Sequence, residues 1–160
     1  MADDAEIEAR FWKELKANPT LILGVANALD GHGQPMHAVF EEAHGPLWFF
    51  TATDNGLVQG LNQSDRAMAH YVAKGHELFA TIHGTLSVER SREVIDRFWN
   101  SHIAQWYKGG RDDPRLCVLR LDTESATIWL NESNITAGIQ RLLGKDPKET
   151  YKDKVAEVAL

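Results

Sequence analysis

Two short apolar stretches, each bounded by turn residues, constrain the fold more than anything else in the chain. They are Gly33-Gln34-Pro35-Met36-His37-Ala38-Val39-Phe40 and Leu47-Trp48-Phe49-Phe50-Thr51-Ala52, the second running into Thr53-Asp54-Asn55-Gly56. Runs of this length and composition between turn signals read as β-strands, and a strand of this kind needs partners in a sheet. The end of the second is chemically distinctive. Thr51, Thr53, Asn55 and the amides around Gly56 offer uncharged hydrogen-bond donors where the chain turns toward a short helix at residues 57–61, an arrangement that can hold a phosphate.

The surrounding pattern supplies more strands and a few helices. Ile7, Phe11 and Leu15 recur every four residues with Trp12 beside them, which predicts an opening helix that covers a barrel or sheet and ends at Asn18-Pro19. Residues 20–28 read as a strand, Asp30-Gly31-His32-Gly33 as a tight turn and residues 36–41 as the hairpin partner. Residues 67–73 and 78–88 form a further pair across Lys74-Gly75, with Gly84 marking a bulge or barrel corner. Ser91 caps a helix whose stripe is Val94, Ile95, Phe98, Trp99, Ile103 and Trp106, ended by Gly109-Gly110-Arg111-Asp112-Asp113-Pro114. A last pair of strands covers residues 116–121 and 126–130. Beyond it come a short amphipathic segment through Ile139, Leu142 and Leu143 and a tail of mixed charge. Residues 1–145 read as one domain and 146–160 as that tail. About six or seven strands with helices between them suggest a small closed or split barrel rather than alternating βα units.

Composition narrows the function. The net charge of −6 and the lack of clustered Lys and Arg argue against nucleic-acid binding. The acidic start has no apolar signal core and no run approaches a membrane span, so a soluble, cytoplasmic protein is expected. The single cysteine, Cys117, lies in an apolar run and reads as a small buried hydrophobe rather than a thiol nucleophile. His70, His76 and His83 lack metal-ligand spacing, and there is neither a Gly-x-Ser-x-Gly elbow nor a P-loop. Metal, hydrolase and kinase readings therefore fall away.

Taken together, residues 6–145 resemble the FMN-binding split-barrel flavoproteins related to pyridoxamine 5'-phosphate oxidase, in the general stress protein branch. The carriers are Phe11-Trp12, Gln34-Pro35-Met36, Leu47-Trp48-Phe49-Phe50-Thr51, His83-Gly84-Thr85-Leu86-Ser87-Val88, Trp99-Asn100, Trp106-Tyr107, Asp112-Asp113-Pro114 and Ile128-Trp129. The resemblance implies a mainly β homodimer of six-stranded barrels with FMN in two grooves where the subunits meet. It implies that Gln34, Pro35 and Met36 flank the flavin ring and that Phe50, Thr51, Thr53, Asn55 and Leu57 serve ribityl and phosphate. Trp106 and Trp129 lie near the ring in some relatives.

Two departures accompany the match. The branch usually has Arg at the position of Gln34 and a Ser-Lys pair at Gly56-Leu57, so this chain lacks two phosphate-binding cations, and a charge-assisted bond is about twice as strong as a neutral one. The expected cofactor is therefore weakly held FMN, with FAD as the other flavin, and Arg66 is the candidate replacement cation. Trp48, Phe49 and Phe50 read first as core or interface residues.

The expected function is an FMN-binding, oxidoreductase-like general stress protein with no assigned catalytic acid or base. The C-terminal arginine motif of the true oxidase has no counterpart here. The alternative is a non-enzymatic stress or binding protein that keeps the barrel and has lost tight flavin binding.

Overall fold

A computed structural model of the chain describes residues 3–26, 33–62, 64–131 and 155–160. Helix α1 spans Asp4–Ala17 and is fixed at its start by a capping box. The Asp3 carboxylate accepts from the Glu6 amide at 2.8 Å while Glu6 accepts from the Asp3 amide at 3.1 Å, so two otherwise orphaned N–H groups are satisfied. Its stripe of Ile7, Phe11, Trp12 and Leu15 is buried in the main core. The Tyr71 hydroxyl closes the other end by donating to the Glu14 and Asn18 carbonyls, each at 2.9 Å.

Seven antiparallel strands follow: β1 Thr20–Val25, β2 Gln34–Val39, β3 Leu47–Ala52, β4 Ser64–Val72, β5 Leu78–Glu89, β6 Leu116–Leu130 and β7 Val155–Ala159. Their order is β3-β2-β1-β4-β5-β6-β7, and an additional β3–β6 pairing closes the first six into a barrel. The turn expected at residues 30–33 falls largely outside the described residues, as does the segment through Ile139, Leu142 and Leu143.

Closure depends on the length of β6. Sequence reading divides it into two strands at Asp122-Thr123-Glu124-Ser125, whereas the structure runs one strand of 15 residues through them. A strand has two edges. One edge of β6 pairs with β5 throughout, while β3 takes residues 116–121 of the other and β7 takes residues 125–129. The polar residues mark a bulge, since His83 pairs with Ser125 and Gly84 with Thr123, leaving Glu124 as the extra residue. Gly84 is required there because a Cβ would lie 2.2 Å from the Asp122 carbonyl oxygen. The expected bend at this glycine is present, and the end of the segment read as a charged tail forms β7.

Alternation sorts the side chains. Met36, Ala38, Leu47, Phe49, Ala69, Ile82, Leu86, Leu119 and Leu121 are buried in the main core, each apolar side chain of leucine or phenylalanine size contributing about 1.5–3 kcal/mol. Trp48, Val94 and Val118 form a second cluster on the outside of the barrel wall. The helix expected to run from Ser91 past Trp106 is two: α3, Arg92–Phe98, and α4, Ser101–Ala104. Asn100 interrupts it. Its side chain accepts from the Ile103 amide at 2.8 Å and so starts a new helix, which a short polar side chain does more readily than it continues one. Of the expected stripe, Val94 and Ile103 are buried and Trp106 is 70% exposed.

Candidate functional site

The outer faces of β2 and β3 form one wall of a cavity of about 400 Å³. Because β2 alternates, Met36 and Ala38 point into the core while His37 and Val39 fall on the opposite face. His37, Val39, Phe50, Thr51 and Ala52 line the wall. The other side comes from α4 and the chain after it, through His102, Ile103, Trp106 and Tyr107, with Arg115 immediately before β6. The loop that returns the chain to Arg115 is organised by Asp113, whose carboxylate accepts from the amides of Gly109 and Arg115, each at 2.9 Å. Those two bonds hold the Asp113 carboxyl below its ordinary range.

Two groups in the cavity have altered acidity. Tyr107 is 8% exposed and donates its hydroxyl to the Thr51 carbonyl at 2.8 Å; burial, with smaller contributions from Cys117 and Asp113, pushes the phenol up to about 12. His37 is held below the ordinary imidazole value first by burial and then by the charge of His102. Both are uncharged at neutral pH, in a cavity whose floor is apolar.

The ten residues singled out from the sequence do not share one place. Phe50, Thr51 and Trp106 meet in the cavity. Gln34, Asn55 and Leu57 meet at the turn into α2, Gly56–Gly60, where Asn55 Nδ2 donates to Gln34 Oε1 at 2.9 Å and Asn55 Oδ1 accepts from the Leu57 main-chain amide at 2.8 Å. Thr53 sits one residue past the end of β3, exposed, with its amide donating to the Arg115 carbonyl at 2.9 Å. The Leu57 side chain is in the core, as is Met36, and Pro35 is exposed. Trp129 lies on the far half of β6, between Phe79 and Val155. Measured along that strand, it is roughly 40 Å from the Cys117 that pairs with Thr51.

Arg66 does not stand free for the turn. Its guanidinium pairs with Glu124 and lies 3.4 Å from the Thr85 hydroxyl. His37, His102, Tyr107 and Arg115 were not among the expected site residues. For His37 the signal was available, since its neighbour Met36 is apolar and strand alternation puts the pair on opposite faces; Arg115 carries no local signal.

The cavity has the size and mixed lining of a small-molecule site, and the turn is less open to a ligand. A volume of this order lies within the range of small-molecule sites, which are mostly apolar with a few convergent polar groups. At the turn, by contrast, Gln34 and Asn55 are bonded to each other.

The pyridoxamine 5'-phosphate oxidase like family matches residues 6–152. A protein of Xanthomonas campestris pv. campestris assigned to the general stress family has a structure similar at TM-score 0.79 and 47% identity, covering 84% of this chain and 93% of that one. The general stress FMN/FAD binding protein of Xanthomonas citri is similar at TM-score 0.76 and 46% identity, covering 81% and 92%. Protein bli-3 of Neurospora crassa is 24% identical over 101 residues, 58% of this chain, and the match spans about half (48%) of that protein's length. Fold, order of motifs and extent of match agree: the chain belongs to the pyridoxamine 5'-phosphate oxidase like family, in its general stress protein branch.

Proposed function

We propose that the chain binds a flavin, FMN in preference to FAD, in the cavity on the outer face of β2 and β3, and acts as an oxidoreductase-like general stress protein. The observation that carries this reading is the meeting of Phe50, Trp106 and Tyr107 around one cavity beside the strand that bears Gln34, Pro35 and Met36. The FMN/FAD binding description of the Xanthomonas citri relative supports it. A bound flavin would supply the hydride or electron chemistry.

The residues of the chain have simpler tasks. Phe50, Val39 and Ile103 exclude water, while Trp106 offers a largely exposed ring for stacking. Tyr107 positions the end of β3 through its bond to Thr51 and keeps its proton, so it is no acid or base near neutral pH. The cavity lies open on the outside of the barrel, which favours a homodimer in which a second copy completes the groove. Trp129, remote from the cavity in its own subunit, would then serve the groove from the partner.

A non-enzymatic barrel protein without tight flavin binding is the second reading, favoured by the closed, uncharged Gln34–Asn55 pair. An absorption spectrum of the purified protein and titration with FMN by fluorescence quenching separate the two. Saturable quenching supports the first reading, and its absence leaves the second. Sedimentation of the same sample tests the dimer, which a monomer at micromolar concentration contradicts.

A further inference from the structure

The cations near the cavity are unequal. A second cavity, of about 400 Å³, shares His37 and Val39 with the first and is lined by Lys16 and Arg97. Both are engaged: Lys16 donates to the Phe40 carbonyl, and Arg97 pairs with Glu41 at 3.4 Å and lies over the Trp48 ring. Arg115 lines the first cavity and, among the described residues, its guanidinium has neither an ion pair nor a hydrogen bond. Its main chain is nonetheless pinned on both sides, the amide to Asp113 and the carbonyl to Thr53. A fixed backbone beside the turn, with an uncommitted charge facing the cavity, suits a residue that meets a ligand.

We infer that Arg115 is the anion-binding residue of this cavity and takes a phosphate or carboxylate group of the bound molecule. The inference deepens the flavin reading and rests on it for the identity of that molecule. It assigns to the residue immediately before β6 the charge that the turn at Asn55-Gly56-Leu57 lacks. An arginine fork can hold either anion through two N–H bonds. His102 and His37 face the same space, and the Tyr107 hydroxyl is occupied by Thr51. The Asp113 carboxylate is the opposing charge, and it is held by two main-chain amides of its own loop.

The test uses the full chain, Arg115→Gln and Arg115→Lys, titrated with FMN and with riboflavin by flavin fluorescence, and separately with inorganic phosphate followed at the Arg115 Nε–H signal by NMR. If the anion is the cofactor's phosphate, Arg115→Gln weakens FMN about 10- to 100-fold and riboflavin little, and Arg115→Lys recovers part of the loss. If it belongs to a second molecule, FMN and riboflavin are affected alike, yet phosphate shifts the Arg115 signal saturably. Should the wild type bind neither flavin while phosphate still saturates that signal, the flavin reading fails and the role of Arg115 stands. No saturable shift with phosphate, together with equal effects on the two flavins, overturns the inference.

Discussion

The two faces of β2 and β3 do different work. Inside, Met36, Ala38, Leu47 and Phe49 join a core in which, among the described residues, no charged side chain is buried. Outside, one residue away along the same strands, His37 and Phe50 face a cavity that also holds His102, Tyr107 and Arg115. The pleat thus separates the core face from the cavity face, and under the proposed function a substitution should affect stability on one and ligand binding on the other.

The strongest way to sharpen that contrast is a substitution on the inner face. Phe49→Ala should cost about 3–5 kcal/mol in urea unfolding, because the side chain is wholly buried and its neighbours cannot fill the space; a loss under about 1 kcal/mol would place Phe49 outside the core. Asn55→Ala comes next, at about 1 kcal/mol, since it removes the cap of α2 and the bond to Gln34. Tyr107→Phe should cost a similar amount, about 1 kcal/mol, for the bond to Thr51. Ultraviolet titration of the wild type should find two phenols, Tyr71 and Tyr107, that ionise only at about 12, and Tyr107→Phe should remove one of them. Trp106→Ala, on the outer face, should leave stability within about 0.5 kcal/mol yet weaken flavin about 2- to 10-fold through lost stacking. Equal losses of stability at Phe49 and Trp106 would break the comparison.

Acidity provides the smallest and most specific difference. With its folded pKa held below 6.5, His37 binds a proton less readily in the folded chain than in the unfolded one. Its contribution to stability is whole above pH 6.5, declines as pH falls from there through the folded value, and then levels off. Urea midpoints between pH 7.5 and 5 should therefore fall more steeply for the wild type than for His37→Gln. An NMR titration placing His37 at or above 6.5 would contradict this.

Much of the fold is legible in the chain because it is written locally. The four-residue spacing of Ile7, Phe11 and Leu15 specifies α1, the apolar run from Leu47 specifies β3 to its last residue, and Gly84 marks the bulge. The errors lie where distant segments decide. The polar run at Asp122-Thr123-Glu124-Ser125 looks like a turn, but β5, β3 and β7 together hold it as strand, with Glu124 bulged and paired to Arg66. At Asn100 two local rules conflict, apolar periodicity against side-chain capping, and the cap prevails. The site was legible in part. Of the residues expected from the family's order of motifs, Phe50, Thr51 and Trp106 line the cavity, whereas Arg115 reaches it only because β6 pairs with β3.

Titration of FMN into the wild type and Ala52→Trp decides whether the outer cavity is where a ligand binds. Ala52 lines that cavity, so the larger ring should fill it. Quenching should saturate in the wild type and be lost in Ala52→Trp, with the urea midpoint retained. Undiminished FMN binding in a folded Ala52→Trp protein, or no saturable binding in the wild type, would contradict it.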